Sequence, residues 1–320
     1  MMNDLGMNER AWRLVDESIE RATELGVALH QLSNGARVLD AGVNAPGGFG
    51  AGLMLSQLCM GGLGHVTFTS LSIGGEEWPG VDVWTDHPAP SCMASQYAGW
   101  AISPEGYFAM GSGPLRAKAR VEKELFEKLD YQEEATRGVL VLEGGKLPTE
   151  EVAAWVAAKA GVEPEGITFA VAPTASLAGG VQISARVLET GLHKMETLGF
   201  DVKRVVSAIG RAPVPPIAKN DMKAIGRTND CVLYGGQARY TVQAEDEELS
   251  ELTAKLPAAA SEDYGAPFSE IFKRYDHDFY KIDPMLFSPG EVWLTSRTSG
   301  RTFHAGHLNP EVLRASLYGG

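Results

Sequence analysis

GVLVLEGGKLPTEEVAAWVAAKAGVEPEGITFAVAPTASLAGGVQISARVLETGLHKMETLGF, residues 138–200, is the stretch that sets the fold class. Gly138–Leu142 and Ile167–Val171 are short apolar runs bounded by Gly or Pro, the pattern of buried strands. Thr149–Lys159 and Val181–Phe200 instead repeat their apolar residues at three- and four-residue steps, the period of a helix. Strand, helix, strand, helix in this order is the signature of α/β architecture, because parallel strands need a crossover long enough to be helical.

Working outward, Arg10–Leu32 carries a helix-period stripe, and Arg37–Asp40 (RVLD) reads as a short buried strand. Ala41–Gly52 (AGVNAPGGFGAG) is too rich in Gly to be regular. Leu53–Met60 reads as a helix, Gly61–Gly64 as a second break and His65–Leu71 as a strand. Leu115–Asp130 is charged and helical, and the polar Gln132–Arg137 after it reads as an exposed connection. That places a boundary between domains at 1–131 and 137–320, since 320 residues exceed what one core usually holds. The strand, Gly-rich loop and helix of Arg37–Met60 recur at Ile167–Met195, which leaves an internal duplication open. Beyond Cys231, Ala238–Gln243 and Glu291–Thr295 read as strands and Ala244–Ser250 as surface.

The balance of 44% hydrophobic and 22% charged residues is that of a packed globular chain. A net charge of −13 without any Lys/Arg-rich run argues against nucleic acid or an anionic membrane as partner. Cys59, Cys92 and Cys231 lie far apart, which argues against disulfide and zinc frameworks and favours reduced thiols in cytoplasm. Met1–Glu9 carries Asp4 and Glu9 and lacks the basic start and apolar run of a secretory signal, so the mature chain is expected to begin near Met1. No run approaches the roughly 20 apolar residues that cross a bilayer.

Several constellations are candidates for chemistry. The loop Gly42–Gly52 suits either a tight turn or the close approach of an anion to the next helix, and it matches neither a dinucleotide fingerprint nor a P-loop. Gly111–Arg120 (GSGPLRAKAR) offers Arg116 and Lys118 to a phosphate or carboxylate, or is simply a loop with Pro114 opening a helix. On the expected helix Val181–Phe200, Arg186, Glu189 and His193 share a face, either a solvated one or a site, with Gln182 and Ser184 in its first turn. Ile209–Lys223 (IGRAPVPPIAKNDMK) reads as a rigid loop that presents Lys219, Asn220 and Asp221. The seven histidines show no ligand spacing, so no metal is expected.

Taken together, ARVLDAGVNAPGGFGAG (36–52), SQYAGWAI (95–102), FAMGSGPLRA (108–117), SLAGGVQISARVLETGLHKM (176–195), APVPPIAKNDMKAIGRTND (212–230) and DFYKIDPMLFSPGEV (278–292) resemble the methenyltetrahydromethanopterin cyclohydrolase family. The resemblance implies two α/β domains with the substrate pocket between them, a homotrimer, and reversible addition of water to a methenyl-pterin to give its N5-formyl form. It also implies a role in methanogenesis or formaldehyde oxidation, and no metal or redox cofactor. By the same resemblance Arg186 and Glu189 match the family's catalytic pair, with Glu189 as the base. Ser95, Tyr97, Gln182, Ser184, Lys219, Asn220 and Asp221 are the implied substrate-binding residues. Tyr97 stands where some relatives are expected to carry Lys, a role that Lys118 or Lys219 would then take over. The competing classes are an oxidoreductase or transferase on the same pterin, and a carrier-binding protein without turnover.

Overall fold

The computed structural model describes residues 5–276, 278 and 281–319, so the opening Met1–Asp4, and Phe279 and Tyr280 of the last family block, lie outside the described residues. It is a mixed α/β chain in two compact units, 1–64 with 90–182, and 65–89 with 183–320. This division replaces a single cut near residue 132. The first unit's six strands are β1 (Ala28–Gln31), β2 (Arg37–Asp40), β5 (Trp100–Ile102), β6 (Ala109–Ser112), β7 (Gly138–Glu143) and β8 (Ile167–Ala172). The second unit's are β3 (His65–Ile73), β4 (Glu76–Thr85), β9 (Val205–Pro213), β10 (Gln237–Val242), β11 (Glu291–Ser296) and β12 (Thr302–Gly306). Because β6 pairs with β7, the polar Gln132–Arg137 joins parts of one sheet rather than two domains.

The first sheet runs β1-β2-β8-β7-β6-β5, and its centre β2, β8 and β7 is parallel. Apart from Arg37, Asp40, Glu143 and Thr168, these strands are apolar, because both faces are covered, as parallel sheets require. On one face Leu39, Val139, Val141 and Ala170 pack with residues of the helices Met7–Glu20 and Phe49–Cys59 and with Ala178 of the helix Leu177–Ser184. On the other, Val38, Leu140, Leu142 and Phe169 pack against Val152, Val156 and Ala160 of the helix Glu150–Ala160. Thr149 caps that helix through its side chain. The two strand–loop–helix segments suspected of duplication stand side by side, and a Cβ at Gly52 would meet Val181 at 2.5 Å.

The second sheet runs β12-β11-β10-β9-β4-β3, with only β10 and β11 parallel. The long hairpin β3–β4 pairs with β9, more than a hundred residues onward. Ile209–Pro213 is therefore strand and not a proline-fixed loop.

Three expected helices are shorter or divided. The first ends at Glu20, and after one further turn Gly26 takes a left-handed φ of 67°, so that Ala28–Gln31 pairs as β1. Leu115–Asp130 breaks at Arg120, φ 49°, into Pro114–Ala119 and Lys123–Leu129. Val181–Phe200 breaks at Ala185 and Arg186 into Leu177–Ser184 and Val187–Thr197. The expected surface stretch Ala244–Ser250 enters the helix Asp246–Lys255. Among the described residues no helix is long and apolar enough to cross a membrane.

Candidate active site

The break before Val187 decides how the Arg/Glu pair is presented. Arg186 is the N-cap of the helix Val187–Thr197, and its N–H closes a turn onto the carbonyl of Ile183 at 3.0 Å. Glu189 sits in the first turn, where the helix dipole favours a carboxylate. Arg186 is 7% and Glu189 6% exposed, which ends the reading of this face as solvated. Charged side chains are rarely buried so fully without a task.

Three contacts within the second unit hold this helix. Tyr240 Oη donates to the carbonyl of Leu188 at 3.0 Å, and a Cβ on Gly191 would stand 2.1 Å from that hydroxyl, so only glycine lets β10 come this close. Towards its other end, the buried Lys194 Nζ donates to the carbonyls of Pro257 at 2.7 Å and Met285 at 2.5 Å. Burial pulls the Lys194 ammonium down to about 7, against the upward pull of the Asp283 carboxylate. The unfolded chain, where lysine titrates near 10.4, therefore binds this proton more strongly, and stability grows as pH rises from about 7 towards 10. Thermal melts should show the Tm of the wild type gaining roughly 5 °C on that of Lys194→Met between pH 7 and 9. A constant gap would contradict this account of the buried amine.

In the first unit the carboxyl ends of the parallel strands bring a second group together. Gln182 Nε2 donates to Glu143 Oε2 at 3.4 Å, while Thr174 Oγ1 donates to Glu143 Oε1 at 2.5 Å. Behind them the Cys59 thiol donates to Gln182 Oε1 at 3.9 Å and lies 3.4 Å from Ser112 Oγ. Ser95, fully buried, donates its hydroxyl to the Cys59 carbonyl at 2.6 Å. Glu143, Thr174, Cys59 and Ser112 are not among the site residues that the sequence implies. The signal for Glu143 was a charged residue ending the apolar run GVLVL ahead of Gly144 and Gly145.

The remaining candidates have local work. Ser184 donates to the carbonyl of Pro213 at 2.7 Å. Asn220 caps the helix Asp221–Gly235 by accepting from the Lys223 N–H at 2.9 Å, next to the exposed Lys219. Asp221 opens that helix. Tyr97 follows a π-helical segment, Ala89–Gln96, and the Arg116 guanidinium lies 4.8 Å from the centre of its ring. Arg116 is not offered to an anion. It is fully buried, paired with Glu122 at 2.9 Å, and donates to the carbonyls of Met93 and Ala94 at 3.2 and 2.8 Å.

The Gly-rich loop also differs from a free anion cradle. Asp40, at the end of β2, accepts from the backbone N–H groups of Gly42, Val43, Asn44 and Ala45 at 2.7–3.0 Å. Burial would raise its pKa, but these four donors outweigh it and hold the carboxyl below the ordinary range. Ser176 similarly accepts from Gly179 N–H at 3.0 Å at the start of the helix Leu177–Ser184. Among the described residues no three His, Cys, Asp or Glu side chains gather as metal ligands.

The model of one protein family, described as Cyclohydrolase (MCH), matches residues 6–317. The chain belongs to that family. Among relatives named methenyltetrahydromethanopterin cyclohydrolase, that of Methanocaldococcus jannaschii is 46% identical over 98% of both chains. That of Methanococcoides burtonii is 42% identical, again over 98% of both. The Methylobacillus flagellatus protein is 46% identical over 97% of this chain and 95% of its own.

Proposed function

We propose that this cyclohydrolase hydrolyses N5,N10-methenyltetrahydromethanopterin reversibly to the N5-formyl compound, a hydrolase acting on a cyclic amidine C–N bond. The match to the family over residues 6–317, with relatives of that name across the full length, carries the reading. The bridging carbon of the substrate is an amidinium and already electrophilic, so the chemistry asks for a base that takes a proton from water. Glu189 is that base, with the Arg186 guanidinium three residues before it to orient the attacking water and the carboxylate. Water adds as hydroxide to the bridge carbon while Glu189 takes its proton. As the C–N10 bond breaks, N10 gains a proton and the new hydroxyl loses one to become the formyl oxygen. The balance is one water consumed and one proton released.

The reaction as written uses no metal or redox cofactor. Assembly as a homotrimer in the cytoplasm, within methanogenesis or formaldehyde oxidation, accompanies this reading, and the family likeness supports it. The test is to add methenyltetrahydromethanopterin alone and follow loss of the methenyl chromophore beside a methenyltetrahydrofolate control. Rapid loss without additions is expected. Binding without turnover would instead make the chain a carrier of the pterin.

A further inference from the structure

An open α/β sheet takes ligands outside the carboxyl ends of its strands, at the point where neighbouring strands send their connections to opposite faces. Here β7 leads into the helix Glu150–Ala160 on one face of the first sheet. Its parallel neighbour β8 leads into the helix Leu177–Ser184, whose Ala178 packs on the other face. The crevice between their ends is where Glu143, the last residue of β7, meets Thr174, the second residue after β8.

Glu143 is the one residue of its strand that is not buried. Its carboxylate is met by two neutral donors, the Thr174 hydroxyl and the Gln182 amide, and among the described residues it forms no ion pair. A carboxylate accepts about four hydrogen bonds, so about two remain for a ligand, one on each oxygen. The donors that hold it are themselves fixed. Thr174 and Gln182 are 6% and 3% exposed, and the thiol of Cys59 on the Gln182 oxygen turns the amide nitrogen towards Glu143. An acceptor-only fork, held in place by neutral groups, fits a flat ligand edge with two adjacent N–H donors.

We propose that Glu143 is a substrate-binding residue that recognises the 2-amino-4-oxopyrimidine edge of the pterin, accepting from its N3–H and its 2-amino group. This rests on the cyclohydrolase reading for the identity of the pterin. The pyrimidine edge is the same in the methenyl and formyl compounds, so the contact contributes equally to ground and transition states. It therefore sets KM in both directions and leaves kcat nearly unchanged.

The test compares Glu143→Gln with the wild type, using tetrahydromethanopterin without its one-carbon unit and the same compound lacking the 2-amino group, both as competitive inhibitors. Gln keeps the shape but sets one N–H2 against the pterin donors. KM should rise about 10–100-fold with kcat within about threefold, the range of a hydrogen bond to a charged group. The wild type should prefer the aminated inhibitor about 10–100-fold, and Glu143→Gln should lose that preference. A preference retained by the variant, or absent from the wild type, overturns the assignment. Should Glu143→Gln fail to fold, Thr174→Val, which leaves the carboxylate but removes one of its holders, must lower the same preference, and an unaltered ratio again overturns it. A wild type that prefers the aminated inhibitor but does not turn over the methenyl compound refutes the catalytic reading and leaves Glu143 standing.

Discussion

Glu189→Gln should lower kcat about 10²–10⁴-fold while KM and Tm stay close to those of the wild type. The side chains are nearly isosteric, and the carboxylate sits in the first turn of a helix anchored elsewhere, by Tyr240 and Lys194. The loss falls on turnover because an amide cannot take the proton from the attacking water. Arg186→Lys should lose less, since it keeps the positive charge and gives up only the planar fork. Initial rates of methenyl loss, with the inhibition constant of the C1-free pterin as the binding control, separate the two. Turnover near the wild-type value in Glu189→Gln would remove the residue from the chemistry.

The second large effect is on stability. Arg116→Met should lower Tm by roughly 10 °C, from the about 3–5 kcal/mol of leaving two buried carbonyls and the half-buried Glu122 carboxylate without their donor. Nothing of Arg116 reaches solvent, and its guanidinium spans Glu122 and the carbonyls of Met93 and Ala94, with the rings of Tyr97 and Phe126 at 4.8 and 5.3 Å. Met fills much of the volume and supplies none of the donors, so a carboxylate and two carbonyls lose their partner. Arg116→Lys should fall between the two in a thermal melt, retaining charge with fewer donors. A Met variant that melts with the wild type would mean that the π-helical turn stands on other contacts.

The strands were the legible part of the fold. GVLVL and ITFAV, and the Val-Leu pair of RVLD, announce themselves because a strand covered on both faces needs apolar residues on consecutive positions, a local property. The division into units was hidden, because the hairpin His65–Thr85 finds its partner in β9, and no local pattern encodes so distant a pairing. The break within Val181–Phe200 is illegible in the sequence for a similar reason. Ala185 and Arg186 are good helix formers, and the break is fixed by placement, with Ser184 tied to Pro213 and the Arg186 N–H folded back onto Ile183. Arg186 and Glu189 were visible as a spaced pair, and only the family likeness lifted them above an ordinary surface ion pair. Arg116 shows the converse, a basic residue in a Gly-rich context whose partners, Glu122 and two backbone carbonyls, identify it as internal. Glu143 stayed hidden because one charge at the end of an apolar run usually marks only where the strand reaches water.

The carboxylate of Asp40 bears on how a ligand would be received. With four successive amides already bound to this resident anion, the backbone of Gly42–Ala45 is ordered before any ligand arrives. Fixing that backbone, about 1–2 kcal/mol per residue, is charged to folding and not to association. Chloride or inorganic phosphate would find those amides occupied, so affinity at this edge of the sheet should answer to the shape of the ligand more than to the salt around it.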